Sequence, residues 1–556
     1  MPKPKITAVL DTLSARKSIK YAVYLIAAIV FFALILLPPI LGIIIKWNTM
    51  QQVLSQPELI SRALNAVENS FAIGLLVSTI DIVTGVPMAW LIARRKSRWI
   101  NILDTMSDIP FIVPTAALGY SLLLFWNGPE GVSSLFGNPL ISPGWLLVVL
   151  LHFAFSYPVV VRVVVGALLD YKREYENASR TLGASPFTVS RTVTFPIIKP
   201  SIIAAFILAF SRSVSETGAT FIIAGAFENG PVFIQRIKDD FIDGKVTQAT
   251  YEGSIVFASF ILIAVAVTIF MIIRVFGPRL KLPVKRIWPT FERKLSYSTA
   301  TTSRDSITLL IFFAIVLIPS LFVALPAFEA IFTNTLSNSL SGTSIWGEYW
   351  QSLILSYFLA AVVTVLNVLI GLPMAIIVAR RKFGTVPSAI LDVLVNIPLI
   401  VPSIALGVSL AIFWKQNFTF IPEIWLLIFA HLAITYPYFV RSMSAAVERI
   451  GVDLEEASRT LGAKPLGVFR TIILPLTKYS ILSGAILVFT RSVSETGATL
   501  AVVTTLRTVP VVIVNWVTQR VPATSLEIGL GCGFLILFSF IILLTLRLIV
   551  KGKGRY

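Results

Sequence analysis

The sequence predicts an all-α membrane protein of about twelve transmembrane helices, arranged as two parallel six-helix repeats, and three observations lead there. Of its 556 residues 56% are hydrophobic and only 13% charged, with a mean hydropathy of +0.85, about half the charge that a soluble chain carries. Apolar stretches long enough to cross a bilayer recur twelve times. A polar segment wedged between such stretches occurs twice: residues 174–202, EYENASRTLGASPFTVSRTVTFPIIKPSI, return at 453–481 as DLEEASRTLGAKPLGVFRTIILPLTKYSI. A constant offset of 279 lays Ala178 on Ala457, Gly183 on Gly462, Pro186 on Pro465, Arg191 on Arg470 and Pro196 on Pro475.

The apolar stretches lie near residues 21–46, 69–93, 107–126, 144–168, 201–225 and 253–275, and again near 306–331, 352–379, 391–414, 424–442, 479–505 and 525–549. The first, from Tyr21 to about Ile45, is too long for a signal-peptide core and has no small-residue cleavage site after it, so it is expected to remain as a span. Basic residues orient the set. Lys3, Lys5, Arg16, Lys17 and Lys20, the Arg94-Arg95-Lys96 cluster, both duplicated segments, Lys281, Lys285, Arg286, Arg293 and Lys294, and the tail with Lys551, Lys553 and Arg555 all fall on one side, the expected cytoplasmic side. Both termini are then cytoplasmic. The expected division is a first domain at 1–278, a basic cytoplasmic linker at 279–304 and a second domain at 305–556. The net charge of +18 belongs to this orientation and does not call for nucleic acid as a partner. The single Cys532 excludes an internal disulfide and sits in an apolar run as a packing residue.

The duplication extends through both halves. Gly85-Val86-Pro87-Met88-Ala89 matches Gly371-Leu372-Pro373-Met374-Ala375 at offset 286, and Ile109-Pro110-Phe111-Ile112-Val113-Pro114 matches Ile397-Pro398-Leu399-Ile400-Val401-Pro402 at offset 288. An even number of spans per repeat gives both halves the same topology, with a pseudo-twofold axis along the membrane normal and a pathway along that axis. The outer loops, 48–62, 127–143, 226–252, 334–348 and 508–522, are too short to hold a solute-capturing domain.

Each polar segment reads as two short helices at an angle. Asp453 is placed to cap the first helix of the second copy with Glu456 at its third position, in the manner of a capping box, and Gly183 and Gly462 follow where a left-handed residue ends a helix. Ser185 and Pro186 suit the N-cap and first position of the next helix. The pattern Glu456-Ala457-Ser458, three residues, Gly462, nine residues, Ile472-x-Leu474-Pro475 resembles the Glu-Ala-Ala…Gly…Ile-x-Leu-Pro hallmark of the membrane permease subunits of binding-protein-dependent ABC importers. The first copy is looser, with Asn177 for Glu, Ser179 for the second Ala, and Val193 and Phe195 for Ile and Leu.

The resemblance implies a type I ABC importer permease fold in a cell (cytoplasmic or inner) membrane. The duplicated segments would be coupling helices docked on two cytoplasmic ATPase subunits through Glu176, Asn177, Ala178, Gly183, Glu455, Glu456, Ala457 and Gly462, with Glu176 as a candidate substitute for the carboxylate missing at Asn177. It also implies an extracellular or periplasmic solute-binding protein. ATP and Mg would be bound by the partner subunits, with no cofactor in this chain, and no Gly-x4-Gly-Lys-[Ser/Thr] loop occurs in it, so it is not expected to be an enzyme.

No catalytic or metal-binding residues are expected. His152 and His431, equivalent at offset 279, lie in apolar surroundings and read as packed, hydrogen-bonded side chains. Asp81, opposite Asn367 in the other repeat, reads as a buried hydrogen-bonding group. The sharper constellation is Ser211–Thr220, SRSVSETGAT, and its copy Thr490–Thr499, TRSVSETGAT, both expected inside the fifth span of their repeat. Ionisable groups at that depth face the bundle interior or a wet cavity. Arg212 with Glu216, and Arg491 with Glu495, could neutralise each other at i,i+4; or the arginines with Ser215, Thr217, Ser494 and Thr496 could offer donors to an anion in the pathway. This stretch is similar to the one in permeases for molybdate, tungstate, sulfate and, less closely, phosphate. Fused permeases of the family also serve ferric iron and thiamine, which spacing alone does not exclude. An ion-coupled secondary transporter would share the parallel twelve-span repeat without the docking segments, and a channel would need rings of pore-lining groups that a pseudo-twofold pair does not supply.

Overall fold

The structure is a computed structural model that describes residues 11–12, 14–95, 97–276, 279 and 289–551. Lys3, Lys5, Lys96, Lys281, Lys285, Arg286, Lys553 and Arg555, and the expected boundary at 278, lie outside the described residues. Every regular element among the described residues is helical. Ten helices are long and apolar enough to cross a membrane, and two bent pairs raise the number to as many as twelve. The chain is built as a multi-pass membrane protein.

The third and fifth spans depart from the straight helices that their hydropathy predicts. The third span of each repeat is a pair of helices bent by 102° in the first repeat and 103° in the second. The break falls at Val113-Pro114 and at Val401-Pro402, where the residue before proline is forced into extended backbone. The fifth spans begin earlier than expected, at Pro186 and Pro465, because the second short helix of each duplicated segment runs straight into them. A widened turn joins the two: the Phe195 N–H donates to the Ser190 carbonyl and the Leu474 N–H to Phe469, five residues back, immediately ahead of Pro196 and Pro475, which have no N–H to offer. These spans also end early, at Ser215 and Val493, and the chain restarts as short helices at Gly218–Ile223 and Gly497–Val502. Glu216, Thr217 and Ser494–Thr496 therefore lie at a break rather than within a continuous span.

The second, fourth and fifth spans of each repeat pack on one another, whereas the first spans are exchanged. Tyr21–Ile45 lies against the second repeat, with Phe31 stacked on Tyr436 at 5.5 Å, and residues 298–321 lie against the first, with Phe312 stacked on Tyr157 at 6.1 Å, before Ala324–Ile331 returns to the sixth span of its own repeat. The residues that precede each first span reach the duplicated segment of the opposite repeat. The Leu466 N–H donates to Ser14 Oγ at 3.2 Å and the Phe187 N–H to Ser296 Oγ at 3.1 Å, so two N–H groups that a helix start leaves unpaired are filled by the other half. Glu292 adds bonds to Thr188 (2.6 Å) and Arg191 (2.8 Å), and residues 289–295 and 298–304 of the expected linker are helical. On the opposite face, loops 226–252 and 508–522 contain helices at Gly230–Ile242 and Val509–Val517 whose apolar residues are buried except at their C-terminal ends.

With the first spans exchanged, the two halves should hold together without a covalent link. Co-expressed as residues 1–279 and 289–556, they are expected to co-purify in mild detergent. Phe31→Ala and Phe312→Ala should each remove about 3–5 kcal/mol of that association, read as loss of the pair on size exclusion. Halves that separate at once as stable monomers would contradict the exchange.

Candidate functional site

The two breaks in the fifth spans meet across the pseudo-twofold axis. Thr496 of the second repeat packs on Gly218, where a Cβ would stand 2.5 Å from its side chain, and Thr217 packs on Gly497, where a Cβ would stand 2.5 Å from Oγ1. Only glycine permits this approach. Each break is closed by polar groups from three directions. His152 bridges it, Nδ1 to Ser213 Oγ at 2.7 Å and Nε2 to Thr220 Oγ1 at 2.8 Å, and His431 repeats the bridge to Ser492 and Thr499 at 2.9 Å each. Both histidines are buried and fully hydrogen-bonded, as their apolar surroundings predicted. The Glu216 carboxylate accepts the Ala219 N–H at 3.2 Å and Glu495 the Ala498 N–H at 2.9 Å, filling the first turn of each short helix. The carbonyls freed at the break, Ser215 and Ser494, accept hydroxyl protons from Ser403 (3.1 Å) and Thr115 (3.2 Å), which sit just past the third-span kinks of the opposite repeat.

The four ionisable groups form one cluster across the axis. Its halves are not alike. Arg491 pairs with Glu495 at 2.5 Å, as the i,i+4 spacing allows. Among the described residues Arg212 makes no ion pair; its guanidinium lies over the rings of Phe111 (5.2 Å) and Phe155 (5.3 Å) and donates to the Phe155 carbonyl at 3.3 Å. The second repeat has Leu399 and Ile434 at those positions and in turn places Tyr438, opposite Val159, beside both arginines. The Ser215 and Ser494 hydroxyls bond back to their own helices, to Arg212 at 3.1 Å and Thr490 at 3.0 Å. Thr496 turns to the Ser494 carbonyl at 3.5 Å, and Thr217 Oγ1 is buried with no hydrogen-bond partner. Above the break, the Lys238 ammonium of the first repeat caps the Leu500 carbonyl of the second, and burial pushes its pKa down to about 8.

On the basic face, each duplicated segment opens with a helix, Glu174–Thr181 and Val452–Thr460. Gly183 and Gly462 follow with φ of +84° and +86°. The Ala184 N–H returns to Ser179 and the Gly183 N–H to Arg180, with Ala463 to Ser458 and Gly462 to Arg459 in the second copy, so both helices end in a Schellman motif. Ser185 accepts the Thr188 N–H as an N-cap ahead of Pro186. Asp453 does not cap. The helix starts at Val452 with Gly451 as N-cap, which puts Asp453 second and Glu456 fifth, where a carboxylate acts on the helix dipole and not as a reciprocal cap.

Glu176, the candidate substitute for a carboxylate at Asn177, points inward. It pairs with Arg94 at 2.5 Å and accepts from Thr194 at 2.8 Å, and its equivalent Glu455 pairs with Arg380 at 2.8 Å. The first arginine of each Ala-Arg-Arg-Lys run thus pins a duplicated segment to the end of the second span. Asn177, Ala178, Glu456 and Ala457 are exposed. Beside them Leu182 and Leu461, each 89% exposed, are the most exposed large apolar residues described. Sequence reasoning missed these leucines, Thr115 and Ser403; the leucines lie inside the repeated segment and Thr115 and Ser403 directly after the repeated runs that end at Pro114 and Pro402, and repetition was the only signal available.

A family model described as binding-protein-dependent transport system inner membrane component matches the chain twice, over residues 82–282 and 371–551. The chain is 31% identical over 205 residues to the sulfate transport system permease protein of Salmonella typhimurium LT2, covering 36% of this chain and 73% of that protein. It is 29% identical over 267 residues to a probable sulfate transport system permease protein of Marchantia polymorpha (46% of this chain, 88% of that one). It is 30% identical over 228 residues to the molybdenum transport system permease protein of Mycobacterium bovis (38% and 82%).

Gly497→Ala tests the contact at the axis. The added methyl would press on Thr217 and Ser403 at 2.5–2.7 Å, so a stability loss of about 1–3 kcal/mol is expected from overpacking, with solute leak through the free chain in vesicles. An unchanged melt and tight vesicles would mean that the breaks do not seal the axis.

Proposed function

Because the chain belongs to the family of binding-protein-dependent transport system inner membrane components, we propose that it is the transmembrane subunit of an ABC importer for a small oxyanion, driven by two separate ATPase subunits and fed by an extracellular or periplasmic binding protein. The basic face is then cytoplasmic. The single observation that carries the oxyanion reading is the state of the two arginines at the axis: Arg491 is paired directly with Glu495, whereas Arg212 makes no direct ion pair and Glu216 acts on it only through space. The cluster therefore offers one guanidinium free of a direct ion pair and the Tyr438 hydroxyl near it, with the unpartnered hydroxyl of Thr217 at the same break. A guanidinium with hydroxyl donors suits a tetrahedral oxyanion and repels a free ferric ion or the cationic thiamine. The relatives named for sulfate and molybdenum support the same class.

Coupling follows from where the docking segments lead. The second helix of each runs through its widened turn into the fifth span that ends at the axis, so a push on Leu182 or Leu461 passes across the glycine turn to a helix that is unbroken from Pro186 to Ser215 or from Pro465 to Val493. Closing and opening of the ATPase pair would then part or rejoin the Thr–Gly contacts. The first segment carries Asn177 where the second has Glu456, which makes the two docking sites unequal.

Arg212→Gln is expected to abolish uptake of the transported ion, among molybdate, tungstate, sulfate and phosphate, with little change in the thermal melt. Arg491→Gln should instead cost about 3–5 kcal/mol of stability, because it leaves Glu495 buried without its partner. Normal uptake by Arg212→Gln would remove the oxyanion reading.

The purified chain should hydrolyse no ATP, and should support binding-protein-stimulated hydrolysis only with two ATPase subunits. Gly183→Val and Gly462→Val, each forcing a β-branched residue into left-handed backbone at about 1–2 kcal/mol, should insert normally and lose that stimulation. Glu456→Gln should weaken ATPase assembly more than Asn177→Gln; equal effects would argue against unequal docking.

A further inference from the structure

The first repeat contains a cavity of about 530 Å3 on the basic face that has no part in the axial pathway. Four elements wall it: the last turns of the second span, the first helix of the duplicated segment, the start of the fifth span, and residues 295–304 leading into the first span of the other repeat. We propose that this cavity holds the headgroup of an anionic phospholipid, its phosphate against the arginines and its acyl chains along Val86, Trp90 and Phe195.

Charge is the first argument. Four arginines line the cavity against one carboxylate. Arg94 is committed to Glu176, and Arg304 shares Asp305 with Arg95. Arg173 and Arg180 have no ion-pair partner among the described residues, so the cavity carries unspent positive charge that suits a phosphate.

Depth is the second. Three spans end around this cavity, the second at Arg94, the fifth starting at Pro186 and the exchanged first span starting at Ser298. Its apolar wall therefore lies within the hydrocarbon and its arginines at headgroup level, with Trp90 at the interface under the Arg94 guanidinium at 5.1 Å. A free ion would use the arginines and leave the half-exposed Val86, Trp90 and Phe195 facing an empty wall.

The second repeat supplies the third argument. The frame is kept there, with Arg380 on Glu455 and Arg459 for Arg180, but Ile376 replaces Trp90, Val452 replaces Arg173, Phe469 replaces Ser190 and Val23 stands opposite Arg304. Two of the four arginines and the tryptophan are lost in one copy of a duplicated scaffold. The lipid site therefore belongs to the first repeat, and because Arg173 and Arg180 sit on the first docking segment, a bound lipid braces that segment and not its twin. The inference stands on the membrane fold and holds whatever solute is carried.

The test exchanges first-repeat residues for those that the second repeat already accommodates. Full-length protein in detergent is titrated with phosphatidylglycerol or phosphatidylcholine, and bound lipid is counted by native mass spectrometry, with a thermal melt of each variant as the check on folding. Wild type should retain phosphatidylglycerol over phosphatidylcholine, and Arg173→Val and Trp90→Ile should each weaken that retention, about fivefold for the lost charge. Arg449→Gln, an exposed basic residue of the second repeat, should leave it unchanged. Three results would overturn the proposal: equal retention in wild type and Arg173→Val; stabilisation by inorganic phosphate matching that by phosphatidylglycerol, which makes the cavity a free-anion site; or loss of ATPase co-purification in Arg173→Val with phosphatidylglycerol retention intact, which assigns the arginine to the ATPase interface.

Discussion

A helix that breaks within a bilayer exposes backbone groups that nothing in the hydrocarbon can pair, and the organisation of this protein follows from how that cost is met. Both fifth spans break at Ser-Glu-Thr-Gly; Glu216 and Glu495 fill N–H groups of their own repeat, but the carbonyls released are filled from the opposite one, Ser215 by Ser403 and Ser494 by Thr115. Neither break can be satisfied by its own half. The kinks that present Thr115 and Ser403, the histidines that bridge each break and the glycines that admit the opposing threonines are conditions for the same junction. The exchanged first spans extend that dependence to the outer layer, and the arms ahead of them carry it to the docking segments.

This accounting separates support from transport chemistry. Most polar residues of the two SETG segments are spent on the break itself: Glu216 and Glu495 on short-helix N–H groups, Ser213, Thr220, Ser492 and Thr499 on the histidines, Ser215 and Ser494 on the Arg212 and Thr490 carbonyls of the preceding turn. What is left is small. Arg212, held between two aromatic rings, and Thr217, buried without a partner, are the groups whose capacity the fold does not consume. A permease pathway needs few strong contacts, since a solute bound tightly at the midplane would not be released.

The duplication has kept its scaffold and let its surfaces diverge. Arg94 on Glu176 and Arg380 on Glu455 are the same bond in two places, as are the paired Schellman turns and histidine bridges. The differences cluster where a ligand or partner would meet the chain: Phe111 and Phe155 against Leu399 and Ile434 around the arginines, Val159 against Tyr438 at the axis, Asn177 against Glu456 on the docking segment, Trp90 and Arg173 against Ile376 and Val452 at the membrane interface. A fused chain permits this, because each half no longer has to serve in both positions of a symmetric dimer.

The sequence by itself determined the class, the number of spans and the repeat, because hydropathy and internal identity are properties of the chain that need no partner. It also determined the left-handed turns at Gly183 and Gly462 and the cap at Ser185, which rest on contacts within a few residues. Tertiary structure decided the rest. Hydropathy reads the third and fifth spans as continuous, since Pro114 and Glu216 sit in windows that remain apolar on average, and the break is stable only because residues about 190 and 380 positions away pair with it. The inward turn of Glu176, the failure of Asp453 to cap and the unequal surroundings of Arg212 and Arg491 are likewise set by side chains brought near by packing. Which of two chemically equivalent arginines keeps its charge available depends on its neighbours in space, and no periodicity along the chain encodes that.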